Sequence, residues 1–117
     1  MTVYEFAKLN DYRIVTNEEI AKTQQITGVY TCDLLSWAMA KVQDGNMWIT
    51  VHTNLNVVAV ASLTSAACVM IPESIEIEQS TIDRANSQDV SMLSSQDGAA
   101  VIVVNAYLQM NKDVISK

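Results

Sequence analysis

The chain has 117 residues, half of them hydrophobic and 17% charged, with a net charge of −6. That length and composition fit one domain with a real core and exclude intrinsic disorder. The acidic balance and the thin scatter of basic residues argue against a nucleic-acid binder or a membrane-surface patch.

No basic segment followed by an apolar run opens the chain, so no signal peptide is expected. The longest apolar run, residues 99–104, is too short to span a bilayer. Cys32 and Cys68 show neither metal nor redox spacing. A cytoplasmic protein with reduced thiols, no metal and no cofactor is the expectation.

Thr2 and Glu5 have capping-box spacing, which predicts a short opening helix. Residues 12–16 read as a strand and residues 17–25 as a polar connection with room for a turn of helix. Residues 26–32 form a second strand. Asp33 is placed to cap a helix over residues 34–42, where Leu34, Leu35, Ala38, Met39 and Val42 share a face.

The stretch 45–63 organises the rest. Gly45 and Asn46 supply turn chemistry. Residues 47–51 make a short apolar central strand with Trp48 in the core. Thr50, His52, Thr53, Asn54 and Asn56 crowd polar side chains into the following loop. Residues 56–63 form a helix that is apolar on nearly every side and so expected to be covered all round.

Residues 67–71 are a continuous apolar run that suits a buried parallel strand, ended by Pro72. Residues 78–87 form a polar helix with Ile82 and Ala85 inward. Asp89 tolerates the left-handed turn that must follow, and residues 90–93 are a last strand. Ser94 or Ser95 caps a final segment, residues 99–110. Its β-branched run would suit a strand, but its length and alanines favour helix. Alternating strands and helices imply an α/β fold with a mainly parallel sheet.

Thr27-Gly28-Val29-Tyr30-Thr31-Cys32-Asp33-Leu34-Leu35-Ser36 and Trp48-Ile49-Thr50-Val51-His52-Thr53-Asn54-Leu55-Asn56-Val57-Val58-Ala59-Val60-Ala61 together resemble the DRTGG domain in its small stand-alone form. The Asp-Arg-Thr-Gly-Gly of that name is reduced here to Thr27-Gly28-Val29. The usual Gln-x-His after the central strand is His52-Thr53-Asn54. The resemblance implies a three-layer α/β/α fold related to the N-terminal domain of HPr kinase, and one domain over the whole chain. It also implies a regulatory or dimer-forming role without catalysis, since such domains occur fused to CBS domains in pyrophosphatases and to phosphotransacetylases.

Two places are candidates for a ligand. Asp33 and Ser36 stand at a helix start, where Asp33 as a cap competes with ligand binding. Thr50, His52, Thr53 and Asn54 stand at the carboxyl end of the central strand, where open parallel sheets bind ligands. There, either a polar ligand is held, or Thr53 or Asn54 caps the next helix while His52 packs locally. His52 is the only histidine, which leaves a metal site short of ligands, and no paired nucleophile accompanies it.

The expected function is therefore a regulatory module that binds a small polar ligand or a partner protein. The alternatives are a protein devoted to dimerisation and docking, or a small enzyme using His52. A homodimer is expected through a surplus apolar face on the last helix, drawn from Val101, Val104, Tyr107 and Leu108.

Overall fold

The computed structural model describes residues 1–110. It contains, in chain order, α1 (Val3–Asn10), β1 (Arg13–Ile14), α2 (Glu18–Ala21), β2 (Gly28–Thr31), α3 (Leu35–Lys41), β3 (Asn46–Ile49), α4 (Leu55–Thr64), β4 (Cys68–Ile71), α5 (Gln79–Ser87), β5 (Met92–Ser94) and α6 (Ala99–Gln109). Thr2 opens α1 with the expected capping box: Glu5 N–H donates to Thr2 Oγ1 at 3.0 Å, and Thr2 N–H to Glu5 Oε1 at 2.8 Å. The Thr2 N–H holds the Glu5 carboxyl below its ordinary pKa.

The sheet order is β1-β5-β4-β3-β2. β2 to β5 run parallel, and β1 joins the far edge antiparallel through Arg13 opposite Ser94. Successive strand side chains point to opposite faces. Met47, Ile49, Cys68, Met70 and Leu93 therefore pack under α1 and α6, with Phe6, Ile102 and Ala106. Trp48, Val69, Ile71 and Met92 pack under α3, α4 and α5, with Ala38, Val58 and Ala85. The result is a three-layer α/β/α domain with a mainly parallel sheet. A central strand buried on both faces reads as an unbroken apolar run, which is why β4 was legible from sequence.

Gly45 closes the turn before β3 with φ +84, and a Cβ there would stand 2.2 Å from Thr27 Oγ1. No other residue type fits that approach. Trp48 has no exposed surface, and its indole Nε1 donates to the Cys32 carbonyl at 2.9 Å. It is a core side chain whose polar handle ties β3 to the end of β2.

Four local expectations are corrected. Leu34, not Asp33, occupies the N-cap of α3, with no side-chain cap, because the Asp33 carboxylate is drawn across to the end of β3. On α3, Ala38 and Val42 are buried while Leu34 and Met39 stay exposed. The outer face of α4 is not covered: Leu55 and Leu63 are exposed, because α3 and α5 flank this helix without lying over it. Neither Ser94 nor Ser95 caps α6. Gly98 holds that position, since the chain needs several residues to leave β5 and reach the opposite face of the sheet.

That change of face shapes one end of the molecule. α3, α4 and α5 each link adjacent parallel strands and lie together on one face, as right-handed crossovers require. The chain leaving β4 goes to α5 on that face, and the chain leaving β5 goes to α6 on the other. Three helices cover four strands, and β1 extends the sheet one strand beyond them. An uncovered ledge results beside the amino end of α5.

Candidate functional site

The carboxyl edge of the sheet carries two groups of polar side chains. At the β2 and β3 end, Asp33 Oδ1 accepts the Thr50 hydroxyl at 2.8 Å and the Val51 N–H at 2.9 Å. His52 N–H donates to Thr50 Oγ1 at 3.3 Å, and the imidazole Nε2 donates to the Asp33 carbonyl. That bond requires the proton on Nε2. Asn54 Oδ1 accepts the Asn56 N–H at 3.0 Å and caps α4, one of the two roles open for it in the sequence. Thr53 is half-buried between them, and Ser36 is exposed in the first turn of α3.

The structure thus brings Asp33, Thr50 and His52 together and engages them with one another. Thr50 is buried, so its hydroxyl needs the partner that Asp33 provides. The network fastens the β2–α3 loop to the β3–α4 loop. Around it lie exposed apolar side chains: Leu34, Val51, Leu55, and Trp37 with the Lys41 ammonium over its ring at 5.3 Å.

The other end of the edge differs in shape and in what its side chains do. A concavity of about 530 Å³ lies there, on the ledge left beside β1. Its walls come from three separate stretches: Asp11 and Arg13 before and in β1, the β4–α5 connection with the start of α5, and the residues after β5. This space opens away from Thr50, His52, Thr53 and Asn54, one of the two places marked as ligand candidates in the sequence. It opens where the connections from β4 and β5 part to opposite faces, the condition that creates a crevice at the carboxyl ends of open α/β sheets.

The β4–α5 loop has an unusual backbone. Glu73 and Ser74 are consecutive non-glycine residues in the left-handed region, with φ 59 and 54. Each costs ~1–2 kcal/mol relative to ordinary backbone. They are held there by Glu73 N–H donating to the Asp97 carbonyl at 2.9 Å and Ser74 N–H to the Ser95 carbonyl at 2.8 Å. Strain maintained in this way collects at ligand-binding sites. Arg13 is exposed and forms no ion pair among the described residues, although Asp11 and Glu76 line the same concavity.

No family model matches the chain, and no curated protein matches it. A solved structure shares its fold. That structure is the CBS and DRTGG domains of the regulatory region of Clostridium perfringens pyrophosphatase complexed with its activator, diadenosine tetraphosphate. The TM-score is 0.63 at 8% sequence identity, and the match covers 89% of this chain and 46% of that one. The likeness is one of fold, and the chain spans just under half the neighbour's length. The resemblance read from the two sequence motifs agrees with it at that level.

Tyr12, between Asp11 and Arg13 in the chain, ties the start of β1 to α6 and to the residues after β5. Its hydroxyl donates to Asp97 Oδ2 at 2.8 Å and accepts from Asn105 Nδ2 at 2.9 Å. Burial, with the Asp97 carboxylate, pushes its pKa above the ordinary value. Cys68 is fully buried, which raises its thiol well above the usual range and leaves it an inert core residue. Among the described residues no group of three or more His, Cys, Asp or Glu side chains is arranged to hold a metal ion, and no helix is long and apolar enough to cross a membrane.

Sequence reasoning missed Arg13 and the β4–α5 loop. The available signal was Arg13 itself, a lone cation at a strand start, and Pro72 ending a buried strand before a long polar connection.

Proposed function

We propose that this chain is a non-catalytic regulatory module that binds a small polar ligand in the crevice between β1, β5 and the β4–α5 loop, and that it works as a homodimer. The observation that supports the ligand reading is the crevice, where a concavity, a strained loop and a guanidinium without an ion pair among the described residues coincide. In this reading Asp33, Thr50, His52 and Asn54 hold the loops at the other end of the edge. Ser36 and Thr53 belong to the surface around them, suited to a partner protein rather than to a small molecule. The fold shared with part of a pyrophosphatase regulatory region supports a regulatory role over an enzymatic one. A thermal-shift screen of nucleotides, amino acids and other metabolites tests the ligand reading, because a ligand of the native state raises Tm by mass action. A hit abolished by Arg13→Gln supports it, and silence across the screen counts against it.

The dimer reading rests on α6. Val101, Val104 and Leu108 are exposed at i, i+3 and i+7 and form one apolar stripe, with Tyr107 half-buried beside it. Light scattering on the eluting protein should give about twice 12.9 kDa, and Val104→Glu should return it to the monomer mass. A wild-type mass near 12.9 kDa contradicts the dimer. The second reading, a protein devoted to pairing and docking, is favoured by the open apolar face of α4 and would survive a silent ligand screen.

A further inference from the structure

The crevice has a charge pattern that narrows its ligand. The Arg13 guanidinium lines the crevice with no carboxylate partner among the described residues. Asp11 and Glu76 line the same space as two separate anions. Ile75, Ile77 and Ile82 give it an apolar side. A polyphosphate is disfavoured: it would meet two carboxylates and a chain of net charge −6 with only one arginine to hold it. An entirely apolar molecule would desolvate three charges and pair none. A molecule that pairs all of them carries an anion and a cation a few bonds apart, with an apolar substituent.

We propose that the ligand of this crevice is a free amino acid, or a close zwitterionic analogue, with an apolar side chain. Its carboxylate meets the Arg13 guanidinium, whose fork of donors matches a carboxylate in two parallel bonds. Its ammonium meets Glu76, and Asp11 lines the same space. Its side chain lies against Ile75, Ile77 and Ile82. The volume, about 530 Å³, is in the range of small-molecule sites. This rests on the reading of the crevice as the ligand site.

Isothermal titration calorimetry of the full chain separates the two claims. The titrants are leucine, isoleucine, valine and methionine, their N-acetyl and carboxamide derivatives, ATP and inorganic phosphate. The expected result is binding of one or more free amino acids, weakened roughly tenfold or more by either N-acetylation or amidation. Arg13→Gln should remove the discrimination between acid and amide, and Glu76→Gln the discrimination between free and acetylated amine. Both residues are exposed, so neither substitution threatens folding. Asp11 is left alone because it ends α1 in the left-handed conformation. Equal binding of the blocked derivatives overturns the zwitterion. ATP or phosphate binding that depends on Arg13 also overturns it, while leaving the crevice as the ligand site. No heat from any titrant overturns both.

Discussion

The two ends of the carboxyl edge are built from similar residue types and put them to opposite uses. At the β2 and β3 end, a carboxylate, a hydroxyl and an imidazole close on one another and fasten two loops. At the β4 and β5 end, a guanidinium and two carboxylates stand around an open space, and the strain lies in the backbone beneath them. The contrast separates two uses of polar side chains. Groups that satisfy one another fasten loops, and groups without an ion-pair partner among the described residues are the ones proposed to meet a ligand. The cause is topological: successive crossover helices close over β2 to β4, and the change of face after β5 leaves the last ledge bare.

The largest effect should come from removing what the closed end is built on. Trp48→Ala deletes a fully buried side chain and orphans the Cys32 carbonyl, so chemical denaturation should show a loss of about 3–5 kcal/mol. A loss below about 1 kcal/mol would mean that the indole is not packed as described.

Asp33→Ala should come next. It leaves the buried Thr50 hydroxyl and the Val51 N–H without their acceptor and should cost about 1–3 kcal/mol. A near-neutral result would return Asp33 to the role of a ligand-facing carboxylate and break the comparison.

Tyr12→Phe tests how the start of β1 is tied to α6 beside the open end. Losing the bonds to Asp97 and Asn105 should cost about 0.5–1.5 kcal/mol near neutral pH. The Tyr12 pKa is raised by burial, so its neutral form is favoured in the folded state. That contribution is fully present below the unfolded value of about 10 and is lost as pH rises through the higher folded value. Stability of the wild type should therefore fall toward that of Tyr12→Phe in strongly alkaline denaturation series, and a gap that widens with pH would contradict it.

The smallest effect on stability belongs to the crevice wall. Arg13→Gln and Glu76→Gln remove exposed charges that form no ion pair among the described residues and should change stability within about 0.5 kcal/mol. A clear destabilisation by either would show that the groups are structural, and the two ends would no longer differ.

Much of the architecture was legible in the residues. Thr2 and Glu5 announced α1, the unbroken apolar run at residues 67–71 announced a strand buried on both faces, and the alanines and length of the final segment decided for helix over strand. Each is a local signal, carried by spacing within one element. The candidate site was legible only in part. Asp33, Thr50 and His52 were singled out and do meet, but what they do depends on bonds across 17 to 19 positions, which no local pattern encodes. The crevice was harder still. Arg13, Glu76 and Ser95 come together only because β1 pairs with β5, and the register that sets this belongs to the sheet rather than to any stretch of chain.

The most direct test maps a ligand onto the two ends at once. Backbone amide resonances of the labelled protein would be followed while the amino acid that gives the strongest calorimetric response is added. The account predicts shifts concentrated at residues 11–13, 74–79 and 94–96, with the amides of residues 33 and 50–54 unmoved. Shifts concentrated at residues 33 and 50–54 instead would contradict it.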